Sequence, residues 1–299
     1  MRQIFKIATA SIGVGAAVLV CKLLAADVSH STALFSDALE SVVNVASSAI
    51  ALYGLYIASK PADAVHQYGH AKAELISAVA IGVLIVVAAL IIFNRAIIDF
   101  LHPAPLTPLS GGLGLGLGLN ALACVMNLAW SQVLRLFGRR WLSPSLTADS
   151  QHLISDVLTS SGIIIALLAA GLLHWHILDP LIALVVALQI AYMGGKTAIS
   201  SISGLLDAAP PQPVLQRMAE LVQQFGEGAI EAHDFRIRQA GPASFMEFHL
   251  VVPGQMSVDA AHDICDRIEQ AIKREMPGMV ITIHIEPDVK AKQEGVLLA

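Results

Sequence analysis

A chain of 299 residues in which 56% are hydrophobic and only 14% charged is too apolar for an ordinary soluble protein, where about 25% of side chains carry charge. A net charge of −5 gives no footing for nucleic acid, and the dispersed cysteines Cys21, Cys124 and Cys265 form neither a C-x-x-C pair nor a disulfide framework, which leaves them as small buried hydrophobes. The deficit of charge is confined to residues 1–200, whereas residues 208–299 have the composition of a soluble domain.

Six apolar runs, each near the ~20 residues that a bilayer demands, predict membrane spans over 5–26, 32–58, 73–98, 112–137, 145–173 and 177–198. The first is followed by further long apolar runs, so it reads as a span and not as a cleaved signal. Lys22 and Arg95 fall near span ends, where their long stems can carry the charge to the interface. Arg2, Lys6, Lys60, Lys72, Arg135, Arg139, Arg140 and Lys196 share one side if both termini are cytoplasmic, which is the orientation that basic-residue bias favours. The fourth span opens on Gly112/Gly116 and Gly114/Gly118, small-xxx-small pairs suited to close helix packing or to a flexible start.

After Ala208-Ala209-Pro210-Pro211, the pattern predicts a helix over 212–226, strands over 231–239 and 244–252, a helix over 257–275 and a strand over 279–286. The order αββαβ predicts a small two-layer α+β domain. The expected division is a six-span domain over 1–207, a cytoplasmic metal-binding and dimerisation domain over 208–290, and a disordered tail over 291–299.

Chemistry concentrates in three places. Glu40 and Asn44 interrupt the second span, and His152 and Asp156 the fifth, each pair spaced i, i+4 on one helix face. An ionisable group at bilayer depth costs about 2.5–3.5 kcal/mol on insertion scales, and two such pairs supply the four N/O ligands of a tetrahedral cation site. Separate helix–helix hydrogen-bond pairs are the alternative. Asp37 and Asp149, one turn before each pair, are candidate uptake or release ligands, or residues of the outer interface. Asp63, His66 and His70 lie in the short loop between spans two and three with spacing D-x2-H-x3-H; they can converge on one metal or remain solvated. His233, His249, His262, His284 and Glu286 fall in the tail domain, with His284 and Glu286 at i, i+2 on one sheet face. Imidazole suits zinc, iron, nickel or copper; scattered surface histidines are the alternative. His30, His102, His174 and His176 fit outer loops.

The sequence has no H-E-x-x-H, no G-x-x-x-x-G-K-[ST] and no G-x-S-x-G, so no enzymatic activity and no nucleotide are expected and any transport must draw on a gradient.

Six spans, i, i+4 pairs on spans two and five, a loop reading D-x-x-H-x-x-x-H and a His-bearing αββαβ tail together resemble the cation diffusion facilitator (cation efflux) family, and within it the bacterial ferrous-iron/zinc exporters. The resemblance implies a homodimeric, proton-coupled antiporter in the bacterial inner membrane that exports Zn2+, Fe2+ or Mn2+. It implies a transport site at Glu40, Asn44, His152 and Asp156, a loop site at Asp63, His66 and His70, and a tail site at His233, His249, His262, His284 and Glu286. It also implies a salt bridge between Lys72 and Asp207 joining the membrane domains of the dimer. The iron/zinc exporters place two aspartates where this chain has Glu40 and Asn44, and harder oxygen ligands tilt preference toward manganese or ferrous iron. A metal-binding regulatory membrane protein without transport, and a channel, are the competing classes.

Overall fold

A computed structural model describes residues 2–102, 108–140, 144–241, 243–292 and 296–297. The chain forms two compact units, Met1–Ile50 with Ala80–Thr197, and Ala51–Val79 with Ala198–Ala299.

Six long helices supply the first unit, and three of them, α2, α3 and α6, run on into the second: α1 (Arg2–Ser29), α2 (Thr32–Ala58), α3 (Ala73–Leu101), α4 (Gly112–Arg140), α5 (Pro144–Leu173) and α6 (Leu178–Leu205). Each holds an apolar stretch of 20 to 29 residues, enough to cross a bilayer. Large apolar side chains such as Leu90, Val125, Leu158 and Ile165 point outward, as in a helix bundle solvated by lipid. The inward face packs Leu34, Ile92, Leu113, Leu117, Ile163, Leu167 and Ile190. Of the glycine pairs, Gly116 marks a close approach. A Cβ there would stand 2.7 Å from Ser29 Cβ and 2.8 Å from Ala25 O, so α1 and α4 touch through backbone.

The start of α2 is capped from another helix. Asp179, in the first turn of α6, accepts hydrogen bonds from Ser31 Oγ (2.6 Å), Thr32 N (2.9 Å) and Ala33 N (2.9 Å), satisfying amides that a helix cannot pair internally. The Thr32 hydroxyl donates to Asp99. Arg95 does not simply reach for the interface: its guanidinium lies 3.8 Å from Asp99 and 4.4 Å from the centre of the Phe35 ring.

In the second unit, α7 (Gln212–Phe225), β1 (Glu231–Ala240), β2 (Ala243–Val252), α8 (Val258–Glu275) and β3 (Met279–Pro287) give the αββαβ order, followed by a single 3-10 turn at Asp288–Lys290 and a short β4 (Val296–Leu297). The sheet order is β3-β2-β1-β4; β1 is antiparallel to β2 and β4, and β2 is parallel to β3 through the α8 crossover. β4 corrects the expectation of a disordered tail, because Val296 and Leu297 pair with Ala232 and Glu231. Residues 293–295, 298 and 299 of that tail lie outside the described residues. The two helices cover one face of the sheet and bury Met218, Leu221 and Val222 from α7 and Ile264, Ile268 and Ile272 from α8 against Met246, Phe248 and Leu250. Ser257 caps α8, its hydroxyl accepting from Ala260 N at 3.2 Å. β1 turns into β2 at Gly241, whose φ of +59° places it in the left-handed region. A Cβ there would also stand 2.7 Å from Ala71 O, so glycine lets the hairpin approach the loop between α2 and α3.

Candidate metal sites

Sheet register brings the tail histidines together. His233 on β1 pairs with His249 on β2, and His249 with His284 on β3, so one imidazole per strand lies along a single row. His233 is buried at 4% exposure, His249 is at 34% and His284 at 67%. Glu286, two residues beyond His284, reaches back: its carboxylate lies 3.5 Å from His233 Nε2 and 3.5 Å from His249 Nδ1. The donor atoms of His233, His249 and Glu286 all fall within 4.8 Å of one another. The His249 and His284 rings are 4.9 Å apart, and His284 Nε2 is 4.0 Å from Glu286, so His284 borders the cluster.

Glu231 orients this site. It is 1% exposed and its Oε1 is 2.9 Å from His233 Nδ1; it also accepts from Lys292 N at 3.3 Å. A carboxylate on one ring nitrogen fixes the tautomer and leaves the other as a lone-pair donor. His233 Nε2 is buried and has no hydrogen-bond partner among the described residues, as a nitrogen set aside for a metal would be. The Glu231-x-His233 spacing is the same i, i+2 pattern that points to His284 and Glu286, so the signal for Glu231 was present in the sequence. An irregularity between His233 and Arg236, with Asp234 at φ +55°, turns the Asp234 carboxylate toward His249, Oδ2 to Nδ1 3.8 Å. The hydrogen bond from Lys292 holds the Asp234 carboxyl below its ordinary range. His262 stands apart on α8, 71% exposed, 3.8 Å from Asp266; within one chain it does not join the row.

The loop residues also converge. Asp63 Oδ1 accepts from His66 N (2.6 Å) and Val65 N (2.9 Å), a local turn that holds the carboxylate in place. The hydrogen bond from His66 N lowers the Asp63 carboxyl below its ordinary range. His66 Nδ1 and His70 Nε2 each lie 3.5 Å from Asp63, the imidazole rings are 4.4 Å apart, and all three donor atoms fall within 4.8 Å. A few residues on, Lys72 Nζ meets Asp207 Oδ1 at 2.9 Å, and Arg238 meets the same oxygen at 3.1 Å. This ion pair, expected to join two copies, forms within a single chain.

The membrane quartet is looser. His152 Nε2 lies 3.9 Å from Asp156 Oδ2, while Glu40 and Asn44 are partly buried on α2. Among the described residues, Glu40, His152 and Asp156 do not form a set of donors within 4.8 Å. Lys22 corrects an expectation: it is 3% exposed, far from snorkelling, and its Nζ is 2.9 Å from Asp37 Oδ1. Asp37, at 2% exposure, is equally far from an interfacial position. Ser160 Oγ donates to the same Asp37 oxygen at 2.8 Å. The Asp149 side chain lies outside the described residues.

Residues 8–206 match the cation efflux transmembrane domain and residues 210–288 the cytoplasmic domain of cation efflux proteins. An uncharacterized transporter of Synechocystis sp., sll1263, is 40% identical over 280 residues, covering 94% of this chain and 89% of that protein. The cation-efflux pump FieF of Salmonella paratyphi A is 32% identical over 294 residues, covering 98% and 96%. Among solved structures, the zinc form of CzrB is 42% identical with a TM-score of 0.27, covering 28% of this chain and 96% of that one.

Proposed function

This chain belongs to the cation efflux family, and from that premise we propose that it exports a divalent transition metal from the cytoplasm in exchange for protons. The substrate is zinc, ferrous iron or manganese. Both termini are cytoplasmic, the membrane is the bacterial inner membrane, and the working unit is a homodimer. The observation that carries the metal reading is the tail cluster: a buried, unpartnered imidazole nitrogen on His233 facing the Glu286 carboxylate beside His249.

In the proposed cycle the ion binds Glu40, Asn44, His152 and Asp156, where two carboxylates offset its charge. The helices then rock so that the site opens outward. An imidazole must give up its proton to ligate, so metal binding releases protons and protonation from outside expels the metal; His152 is the carrier. Asp63, His66 and His70 bind metal at the loop, and the tail row of His233, His249, His284 and Glu286, with His262, senses cytoplasmic metal and biases the membrane domain.

One observation favours a second reading, a metal-binding regulator without transport. The loop and tail donors converge, whereas Glu40, His152 and Asp156 do not. Metal uptake into proteoliposomes, with and without a proton gradient, separates the two. Export predicts flux that depends on the gradient and is lost in Asp156→Ala. Absent flux in the wild-type protein selects the regulator, and flux indifferent to the gradient selects a channel.

A further inference from the structure

Three helices converge on one buried carboxylate one turn away from the proposed transport site. Asp37 of α2 takes Lys22 Nζ of α1 at 2.9 Å and Ser160 Oγ of α5 at 2.8 Å, both on Oδ1. Its Oδ2 is buried without a hydrogen-bond partner among the described residues. Lys22, Asp37 and Ser160 are at most 3% exposed. Asp37 precedes Glu40 by three residues and Ser160 follows Asp156 by four, so the pair shares helix faces with both halves of that site. The Lys22 ammonium also interacts electrostatically with Asp156 and Glu40.

We propose that Lys22 is a tethered counter-cation of the transport path, holding Asp37 and competing with the metal for the carboxylates of α2 and α5. The inference rests on the transport-site reading above. The charge count supports it. Three carboxylates, Asp37, Glu40 and Asp156, face one ammonium, Lys22, so with all four groups ionised two negative charges are left for a divalent ion to offset. A fixed ammonium in a low-dielectric interior repels an arriving dication more strongly than any surface lysine does. It keeps three carboxylates from closing on the metal too tightly for release. The other use of the pair, as a staple between α1 and α2, is a weaker reason for its presence, because apolar side chains of similar volume hold helices together as well as or better than a buried ion pair.

The two uses predict different outcomes. In proteoliposomes containing the full-length chain, with zinc as the probe, Lys22→Met lowers the KM for zinc about tenfold and lowers kcat by a similar factor. Asp37→Asn, which leaves the ammonium without its counter-charge, raises KM about tenfold. Lys22→Arg keeps wild-type KM, and Lys22→Met with Asp37→Asn returns KM to within about threefold of wild type. A staple alone predicts a lower melting temperature for Lys22→Met with KM unchanged, and that result overturns the proposal even when Asp156→Ala abolishes flux. Wild-type flux in Asp156→Ala overturns the transport site and this inference with it. If Lys22→Met does not fold, Asp37→Asn and Lys22→Arg decide: an unchanged KM in Asp37→Asn refutes the proposal.

Discussion

The ring of Tyr68 meets the ring of Phe245 in a T-shaped contact with centroids 5.9 Å apart. Tyr68 sits between His66 and His70, and Phe245 is on β2, so the contact ties the loop donors to the strand that carries His249. Arg238 of β1 lies 4.4 Å from the Phe245 ring centre and 5.8 Å from that of Tyr68. Aromatic and cation–π contacts of this kind contribute about 0.5–1.5 kcal/mol each. Phe245→Ala removes two of them, and limited proteolysis after Lys72 should accelerate about 5- to 30-fold as the loop opens more often. An unchanged cleavage rate would show that the loop is held by other contacts.

Glu231 gives a test that spares every metal donor. Glu231→Gln keeps the volume and removes the charge that fixes the His233 ring. Second partners of metal-ligating histidines are worth 10- to 100-fold in affinity. Calorimetric titration of the full-length protein should show a loss in that range for the tail site, and a comparable loss for His233→Ala with His249→Ala. Wild-type affinity in all of these variants would remove the tail row from the list of metal sites.

The Lys72–Asp207 link should be insensitive to pH across the physiological range. The hydrogen bond from Lys72, joined by that from Arg238, holds the Asp207 carboxyl below its ordinary value. A carboxyl depressed in the folded state stabilises above its unfolded value of ~3.9 and loses that contribution as pH falls through the folded one. Asp207→Asn should therefore lower the melting temperature at pH 7, and the difference from wild type should shrink as the pH falls below ~3.9 and through the lowered folded-state value. A difference that persists in acid would assign the effect to packing instead of charge.

Asp179 offers a further prediction. Losing a carboxylate cap costs about 0.5–2 kcal/mol, and Asp179→Asn retains one acceptor oxygen where the native carboxylate presents two to the donors Ser31 Oγ, Thr32 N and Ala33 N. Thermal unfolding in detergent should register that loss, and Asp179→Ala should exceed it. Equal melting temperatures for both variants and wild type would mean that α2 starts are stabilised by lipid contacts.

Substitution of Asn44 addresses metal choice. Asn44→Asp adds a third carboxylate to the proposed quartet beside Glu40 and Asp156, and competition between zinc and manganese for flux should shift about 3- to 10-fold. Identical competition profiles would leave Asn44 without a role as ligand.

The helices and strands were legible because their periods are strong. An apolar run such as that of α3 admits no other reading, and the strand Phe245–Val252 is bounded by turn residues. β4 left no such trace, since two residues, Val296 and Leu297, cannot display a period. The burial of Lys22 is not legible in the sequence, because distance from a helix end says nothing about a partner 15 residues onward on the next helix. The histidine row was legible only in part. Its members could be placed on three strands, but the register that aligns His233, His249 and His284 is a property of pairing. The position of His262 follows from helix geometry: Ile264, Ile268 and Ile272 face the sheet, and a residue two before Ile264 points about 200° away from it.

The three imidazoles aligned across β1, β2 and β3 descend from open water to the interior, from 67% exposure at His284 through 34% at His249 to 4% at His233. If the row binds metal as proposed, a hydrated ion arriving at the rim trades one water for one nitrogen at each rung. Dehydration is thereby divided into small steps, none of which leaves the ion bare, and an ion in the deepest seat can leave only by retracing every rung. Such a staircase would give the tail a slow memory of past metal exposure, outlasting each brief fluctuation in the surrounding solution.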